Sequence, residues 1–364
     1  MGTRYRAAVI GRTGGGDYGH DLEYAWLNLP GVELVAVADE DPEGLRRAQA
    51  RTGAPRGYTD YQEMLAREAV HFVSVAPRWP DCHAAMVTAC AEAGVAGVLC
   101  EKPFVRTPAE GDAVLAACRR AGTRVAVAHQ ARAIPQVQHA ARMLAEGALG
   151  RVPTLVGHGK GDARGGGEDL IVLGTHILDL MCFLAGSPEW VFARVQTEGR
   201  DITLADAREP SEPVGPVAGD SVTAVYGFAN GVTGLFESHR GMADGGRRFG
   251  LEVHGSEGIL AIRAGEEWAV RYLPQSYFPA VAAAEWQPLP APEWEAAPRK
   301  LLFGNQILAR DLIAAVEGQR EPLASGADAV AALEMIVGVY TAHLAGARVA
   351  LPLAQRSHPL QCQP

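Results

Sequence analysis

A glycine-rich segment near the start of the chain has the spacing of a phosphate-binding turn. Residues 11–19 read GRTGGGDYG, in which Gly14, Gly16 and Gly19 satisfy G-x-G-x-x-G. Glycines at this spacing let the backbone bend sharply and approach a pyrophosphate at a helix N-terminus. Gly11 ends the preceding apolar run where the first glycine normally stands, so the loop is about three residues longer than the simplest form. We predict a dinucleotide site that includes Gly11, Arg12, Thr13, Gly14 and Gly16.

An acidic residue follows the next apolar run at the distance typical of a dinucleotide-binding fold. Residues 34–38 (LVAVA) lead into Asp39, about 20 residues beyond the last glycine, where a carboxylate can accept both hydroxyls of an adenosine ribose. The alternative is a solvated acidic strand end. Glu40 and Asp41 follow, and these carboxylates would repel a 2′-phosphate. The sequence therefore favours NAD over NADP, although an Arg12 guanidinium near the ribose would partly tolerate NADP.

A second cluster of chemically active side chains follows the run that ends at Cys100. The sequence there is Glu101-Lys102-Pro103-Phe104, and the chain resembles the glucose-fructose oxidoreductase and inositol dehydrogenase (Gfo/Idh/MocA) family, whose most specific mark is this Glu-Lys-Pro tripeptide. The resemblance implies that Lys102 lies beside the nicotinamide and the substrate hydroxyl, and that Glu101 helps to hold the nicotinamide ribose. A lysine at the carboxyl edge of a parallel sheet can polarise an oxygen or relay its proton. A plain exposed lysine is the alternative.

Two further segments extend the resemblance in the first part of the chain. Residues 76–79 (APRW) resemble the family's cofactor loop, which implies cofactor contacts for Pro77 and Trp79. Trp79 would cover the ligand or merely cap the loop. Residues 129–135 (HQARAIP) resemble the segment that passes the nicotinamide and enters the second domain. This implies a cofactor contact for Gln130 and a substrate contact for Arg132.

A glycine-rich signature with a histidine lies in the second half of the chain. Residues 165–179 read GGGEDLIVLGTHILD and resemble the family signature G-G-G-x-x-x-D-x-G-x-H-x-x-D, whose histidine implies a general acid or base at the reacting carbon. His176 is the match, and histidine titrates near the pH at which a hydroxyl proton must be removed. A hydrogen-bonded core histidine is the alternative.

One position departs from the family signature. Where the family has an aspartate four residues before the histidine, this chain has Val172. Asp169 lies two helical turns before His176 on the same face of the predicted helix. It could take the place of the family aspartate through a one-residue insertion after the glycines. It could also be the helix N-cap, which the pattern slightly favours. Asp179 matches the family's trailing aspartate, which implies an orienting or structural role.

The segment before these glycines contains charged side chains that would border the substrate pocket. By their position in the family, Lys160 and Arg164 would read substrate hydroxyls or a carboxylate, or they belong to an ordinary solvated loop. No metal site is predicted, because the six cysteines form no CxxC pair and no cysteine–histidine cluster. We expect reduced, mostly buried thiols at positions 82, 90, 100, 118, 182 and 362.

Two patterns of predicted elements position these residues. Up to residue 132, short apolar runs alternate with amphipathic stretches, which is typical of βαβ units in a doubly wound parallel sheet. The predicted strands there cover residues 6–10, 33–38, 70–76, 95–100 and 124–128, and the predicted helices cover 42–52, 81–93, 108–121 and, just beyond, 135–146.

Beyond residue 151 strand-like runs follow one another with few helices. The turns at 229–231 (ANG) and 255–258 (GSEG) are typical of hairpins, which join antiparallel strands. The predicted fold is α/β: an N-terminal Rossmann domain, residues 1–132, and a C-terminal α+β domain, residues 133–364, built on a mostly antiparallel open sheet. The C-terminal elements are strands at 154–157, 191–197, 221–228, 233–239, 251–254, 259–263 and 268–273, long loops at 199–219 and 274–298, and helices at 299–317 and 326–344.

Composition excludes several classes of partner. The formal net charge is −9 and no basic block could neutralise a run of phosphates, so we expect no nucleic-acid partner. We find no apolar run near the ~20 residues that cross a bilayer, and the first residues show no signal-peptide pattern. We therefore expect a cytoplasmic protein without membrane contact. The resemblance also implies a homodimer or homotetramer joined through the open sheet.

Three functions remain open from the sequence. The leading one is an NAD-dependent oxidoreductase that transfers hydride from a secondary hydroxyl of a sugar, sugar acid or cyclitol, with Lys102 and His176 managing the proton. The second retains NAD and cleaves a glycosidic bond through transient sugar oxidation, an alternative that Val172 keeps open. The third is a non-catalytic dinucleotide-binding protein. Retention of both Lys102 and His176 argues against it, because binding needs neither.

Overall fold

The computed structural model of the protein describes residues 5–242, 248–264, 268–275 and 285–361. Its internal contacts divide the chain into two compact units: Met1–Ala133 with Ala297–Val330, and Ile134–Ala296 with Ala331–Pro364. The segment 297–330, which the sequence division places in the second domain, therefore groups with the first unit. Cys362, and residues 276–284 of the predicted loop 274–298, lie outside the described residues.

The first unit contains a six-stranded parallel sheet. Strands β1 to β6 are Tyr5–Ile10, Val32–Ala38, Arg56–Tyr58, Phe72–Val75, Gly97–Cys100 and Arg124–Val127. They lie in the order β3-β2-β1-β4-β5-β6, with a change of direction in the order next to β1. Strands β4 and β5 are buried at every residue, as expected for a parallel sheet covered on both faces. The predicted Rossmann sheet is confirmed, and the short strand β3 was missed.

The helices of this sheet begin and end at residues that the sequence marks. Helices α1 to α4 are Pro42–Thr52, Tyr61–Glu68, His83–Glu92 and Pro108–Ala121. The Asp41 side chain caps α1 by accepting from the Gly44 N–H at 2.6 Å, and Thr107 caps α4 by accepting from the Glu110 N–H at 3.1 Å. Both helices end at a left-handed glycine, so their predicted bounds are confirmed.

The core of the first unit includes side chains from a distant part of the chain. Trp26, Phe72 and Leu99 are buried together with Leu308 and Leu312. The last two belong to the helix Lys300–Glu317. The core of the parallel sheet, whose last strand ends at Val127, is therefore completed by a helix that begins only at Lys300.

The second unit is built on a ten-stranded sheet. Its order is β15-β14-β13-β12-β7-β11-β10-β8-β16 with β9 paired to β8, and of these pairs only β7 with β11 is parallel among the described residues. The predicted mostly antiparallel sheet is confirmed. Strands β7 to β16 are Thr154–His158, Pro188–Thr197, Arg200–Asp201, Ser221–Phe228, Thr233–His239, Gly250–His254, Ile259–Arg263, Ala269–Leu273, Gln287–Pro288 and Val349–Ala350.

Burial alternates along the strands of this sheet. In β7 and β11 every second residue is buried and the intervening ones are more accessible, so one face is covered and the other is open. The hairpin turns are as predicted: Gly231 has φ 80°, and the Gly255 N–H donates to the Gly258 carbonyl at 2.9 Å.

Six further helices follow in the described part of the chain. They are α5 (Pro135–Ala145), α6 (Gly167–Val172), α7 (Gly174–Ala185), α8 (Pro292–Ala296), α9 (Lys300–Glu317) and α10 (Gly326–Ala345). By length and composition α10 could cross a membrane, which the sequence expectation overlooked, and 67% of its most apolar stretch is buried. Burial inside a folded unit explains such a composition without a bilayer.

Candidate active site

The glycine-rich loop folds back on itself directly after β1. The Asp17 N–H donates to the Arg12 carbonyl at 2.9 Å, and the Gly15 N–H donates to the same oxygen at 3.0 Å. Gly16 has φ 93°, and a Cβ there would lie 2.6 Å from the backbone nitrogen of Trp79. Only glycine can therefore let this loop approach the segment after β4 so closely.

The segment that follows the loop is not an α-helix. His20 and Asp21 have positive φ angles of 45° and 66°, and only a short 3-10 turn, Leu22–Tyr24, comes next. We expected a pyrophosphate to meet a helix N-terminus here, and that expectation is wrong for this chain. Two consecutive left-handed residues prevent regular helix propagation, so a phosphate would meet the backbone of the loop itself.

Asp39 is predicted to contact the ribose, and it has a structural task as well. Its carboxylate accepts from the Thr13 N–H (3.1 Å), the Thr13 hydroxyl (2.7 Å), the Tyr18 hydroxyl (2.9 Å) and the Asp41 N–H (3.1 Å). A carboxylate offers about four lone-pair sites, and four donors from the protein already use them. Asp39 therefore holds the glycine-rich loop in place, with the Tyr18 ring lying over Gly11.

A pocket of about 320 Å³ lies at the carboxyl ends of β1 and β2. In open parallel sheets ligands bind at this edge, where the strand order changes direction. The loop residues Gly11 and Arg12 line it together with Asp39, Glu40 and Asp60. Its place in the sheet fits the adenosine end of a dinucleotide, and three of these five residues are acidic.

Arg12 is held by acidic side chains at the rim of this pocket. Its guanidinium lies 2.9 Å from the Asp81 carboxylate and 3.3 Å from Glu40. The hydrogen bond with Asp81 raises the pKa of Arg12 above its ordinary value. The guanidinium that the sequence placed near the ribose is therefore paired, and the pairing with Asp81 was not predicted.

The segment after β4 is fixed by a histidine that the sequence interpretation left without a role. His83 is fully buried, with Nε2 2.7 Å from the Pro77 carbonyl and Nδ1 3.0 Å from the carbonyls of Pro103 and Phe104. It therefore joins the loop after β4 to the loop after β5. Trp79 is partly buried beside Gly16, as the backbone contact above requires.

Glu101 and Lys102 follow β5, and both are buried. Glu101 contacts the His20 imidazole through Oε1 and accepts from the Lys102 N–H through Oε2. Burial alone would raise the pKa of Glu101, but His20 and the Lys102 ammonium lower it below its ordinary value. A Cβ on Gly19 would lie 2.6 Å from Glu101. The Glu-Lys-Pro segment and the glycine-rich loop are therefore in direct contact.

The two residues after β6 that we predicted to contact ligands, Gln130 and Arg132, form hydrogen bonds and an ion pair within the first unit. Gln130 donates to the Asn305 side chain at 3.0 Å, and Asn305 donates to the His20 carbonyl at 2.7 Å. Arg132, 4% exposed, contacts the Leu323 carbonyl and the Asp328 carboxylate, each at 3.2 Å. Their predicted ligand contacts stay predictions. The contacts observed here make Gln130 and Asn305 supports of His20.

His176 lies near the start of a helix in the second unit. Helices α6 and α7 are separated at Leu173, whose carbonyl accepts from the His176 N–H at 3.1 Å. The imidazole is 8% exposed and contacts the Trp268 ring edge-on, with ring centroids 6.2 Å apart. No local pattern points to Trp268 as a neighbour of His176, because the two residues are almost 100 positions apart.

Asp169 is a buried carboxylate on α6 and not its N-cap. The cap position is Gly166, and the Asp169 carboxylate instead accepts from the Ser238 hydroxyl at 2.5 Å and the Gly161 N–H at 3.2 Å. Burial raises its pKa, and these two donors only partly oppose that rise. Within the described part of the chain its Oδ1 atom has no hydrogen-bond partner. The N-cap interpretation is therefore wrong, and the proton-carrying role stays a prediction.

The two cationic side chains in the segment before α6 are each paired with carboxylates. Lys160 lies 3.5 Å from Asp162, while Arg164 lies 3.2 Å from Asp162 and 3.9 Å from Glu212. Two cations therefore face two carboxylates. Since the acids compensate both cations, this segment presents hydrogen-bonding groups rather than a net positive charge.

The parallel sheet, its glycine-rich loop and the pocket at its edge define a dinucleotide-binding domain of the Rossmann class, in a chain with a second, open-sheet unit. Residues 5–129 match the family model described as an oxidoreductase family with an NAD-binding Rossmann fold, and residues 137–261 match a C-terminal domain of Gfo/Idh/MocA proteins. The chain belongs to the Gfo/Idh/MocA family of oxidoreductases.

Known relatives agree with this assignment. A D-apiose dehydrogenase of Paraburkholderia graminis is 30% identical, covering 98% of this chain and 92% of its own length. A levoglucosan dehydrogenase of Pseudarthrobacter phenanthrenivorans is 29% identical, covering 69% and 72%. Among solved structures, a levoglucosan dehydrogenase in complex with NADH and levoglucosan matches the fold with a TM-score of 0.77 and 22% identity, over 96% of this chain and 100% of its own.

Proposed function

We propose that this oxidoreductase is an NAD-dependent dehydrogenase that oxidises a secondary hydroxyl of a sugar or polyol. The observation that carries the proposal is the contact between Gly19 and the side chain of Glu101, which brings the Glu-Lys-Pro segment, the segment that contains Lys102, up to the glycine-rich loop. A general acid or base beside a dinucleotide loop is what hydride transfer from an alcohol requires. A protein that only binds the dinucleotide has no need of it.

The first unit fits a nicotinamide dinucleotide. Its pocket lies at the strand edge where such ligands bind, and the space left by the missing Cβ of Gly16 lets backbone reach the loop. Asp39 and Glu40 place negative charge at the pocket, which supports NAD over NADP. A bound nicotinamide supplies the hydride acceptor. Glu101, kept anionic by its lowered pKa, would hold the adjacent ribose, in line with the family resemblance.

The proton of the substrate hydroxyl needs an acceptor as the hydride leaves. We assign that task to His176, with Lys102 polarising the substrate oxygen. Asp169, whose pKa is raised by burial, can carry a proton at higher pH than an ordinary aspartate and is the candidate to exchange it onward. Val172 is a buried apolar residue on the same helix and supplies no carboxylate.

The balanced charges near α6 bear on the substrate class. Asp162 and Glu212 compensate Lys160 and Arg164, which favours a neutral sugar over a sugar acid. The named substrates of the two relatives, D-apiose and levoglucosan, are consistent with this choice. We further propose a cytoplasmic homodimer or homotetramer joined through the open sheet face, where Leu235 is 37% exposed. A monomeric mass in light scattering would contradict the assembly.

The test is an assay of the purified protein with NAD⁺ and a panel of neutral sugars, polyols and sugar acids, followed at the NADH absorbance. We expect turnover of at least one neutral sugar. Lys102→Met and His176→Asn should each lower kcat by ~10²- to 10⁴-fold, the usual contribution of a positioned acid or base. Lys300→Met, which changes a lysine at the start of α9, should leave kcat unchanged and is the control.

Two results would contradict the proposal. If the protein turned over none of these substrates and bound no NADH in a calorimetric titration, the proposed dehydrogenase activity would be rejected. Cleavage of a glycoside without net NADH would select the redox glycosidase that the replacement of the family aspartate by Val172 leaves open.

A further inference from the structure

Cofactor choice at this pocket should not depend on Asp39 alone. Four donors from Thr13, Tyr18 and Asp41 fill the lone pairs of its carboxylate. Its negative charge still repels a 2′-phosphate, but with its lone pairs in use it can accept little from a ribose hydroxyl. The groups around it at the rim of the 320 Å³ pocket must therefore contribute.

Among the described residues that line the pocket, one cation could bind a 2′-phosphate. Arg12 lines the pocket, and a guanidinium is the side chain best matched to a phosphate, because it donates two parallel hydrogen bonds. An Arg12 side chain free of partners would therefore favour NADP. In this structure its guanidinium is paired with Asp81 at 2.9 Å and with Glu40 at 3.3 Å.

The geometry points to Asp81 as a determinant of cofactor specificity: by holding the Arg12 guanidinium, it keeps the site selective for NAD. This inference rests on the proposed function. Asp81 lies in the turn before α3 and is not among the residues that line the pocket. Its side chain is 26% exposed and that of Arg12 is 29% exposed, so the pair is only partly screened by solvent.

Glu40 also contacts Arg12, but it contributes less than Asp81 to holding the guanidinium. Its side chain is 69% exposed, so its contact with Arg12 contributes little by itself. It lies at the pocket, however, where its own charge repels a phosphate. Asp81 therefore acts by removing an attraction and Glu40 mainly by adding a repulsion.

The experiment compares NADH and NADPH binding by calorimetric titration of the wild type, Asp81→Asn and Asp81→Asn/Arg12→Ala. We expect the wild type to prefer NADH by ~100-fold, since like charges at a binding site are costly. Asp81→Asn should raise the affinity for NADPH by ~10-fold, the effect of one charge-assisted contact with phosphate, and change the affinity for NADH by less than ~2-fold. Adding Arg12→Ala should abolish the gain.

A matched control variant distinguishes the loss of the Asp81–Arg12 ion pair from a change in the net charge of the protein. Glu63→Gln removes one negative charge from α2, where Glu63 pairs with Arg67 and not with Arg12, and should leave the NADPH-to-NADH ratio unchanged. An unchanged ratio in Asp81→Asn, or an equal gain in the double variant, overturns the inference and leaves the dehydrogenase proposal standing. Wild-type binding of neither dinucleotide overturns the proposed function itself.

Discussion

Each unit contains a fully buried carboxylate, and their environments shift the two pKa values in opposite directions. Glu101 in the first unit contacts the His20 ring and the Lys102 N–H, and its pKa lies below the ordinary value. Asp169 in the second unit has two neutral donors, and burial raises its pKa. Equal burial therefore gives a fixed anion in one unit and a group that can exchange protons in the other.

This difference assigns roles that residue types alone do not. When environments separate the pKa values of two acids, the acid with the raised value is the candidate proton carrier and the other supplies fixed charge. Glu101 accordingly organises the loops around Lys102, whereas Asp169 is suited to proton exchange. The same substitution, acid to amide, should have opposite effects on stability at the two sites.

The largest effect is expected for Glu101→Gln. An amide cannot compensate the Lys102 ammonium and loses the carboxylate contact with the His20 ring, and removing the charge from one partner of a buried pair costs several kcal/mol. Because the His20 side chain is 31% exposed, we expect a loss of ~2 kcal/mol in the free energy of unfolding at pH 7. Urea denaturation measures it.

The sign of the pH dependence at this site follows from the lowered pKa. Glu101 stabilises the folded state above its pKa in the unfolded chain, and that contribution is lost as pH falls through its folded pKa. The gap between wild type and Glu101→Gln should therefore narrow in acid. A gap that widened in acid would show that Glu101 is not an anion in the folded protein.

The substitution Asp169→Asn should stabilise the folded protein at high pH, whereas Glu101→Gln destabilises it. With a raised folded pKa, Asp169 favours folding when protonated and opposes it as pH rises through that pKa. We expect the variant to be more stable than wild type at pH 8 by ~1 kcal/mol and to lose this advantage near pH 4. Thermal unfolding across pH checks it. Asp162→Asn, on a partly exposed acid whose pKa is lowered by Arg164 despite burial, should show no such gain.

The smallest effect is expected for Ser238→Ala. Ser238 donates to Asp169 and accepts from the Gly166 N–H at 3.0 Å. Losing its hydroxyl should cost ~0.5 kcal/mol, the lower end for one hydrogen bond, with more of the loss at high pH, where Asp169 is ionised and depends most on this donor. A pH-independent loss would mean that the hydroxyl serves only the Gly166 backbone.

The sequence predicts elements well where local chemistry decides their bounds. Helices α1 and α4 have a capping side chain, an N-terminal proline and a terminal glycine, and the structure starts and ends them at the predicted residues. Strand β3 and helix α2 were missed. Strand β3 is only three residues long and has no buried residue, so no hydrophobic pattern marks it.

Contacts between distant segments were beyond sequence reasoning. The motifs pointed to Lys102 and Glu101, but not to His20, which precedes its partner by 81 positions. Asn305 likewise joins His20 and Gln130 through hydrogen bonds that depend on the tertiary fold. The N-cap interpretation of Asp169 failed for a local reason, since α6 begins at Gly167 with Gly166 at the cap position.

The membership of Leu308 and Leu312 in the first core affects how the protein can be made. During synthesis residues 1–133 emerge from the ribosome long before helix α9 does. Until α9 emerges, the parallel sheet lacks part of its apolar covering. The nucleotide-binding half is thus completed only late in translation. A fragment that stops at residue 133 would expose that uncovered surface, so we expect the first unit to need helix α9 in order to fold and stay soluble.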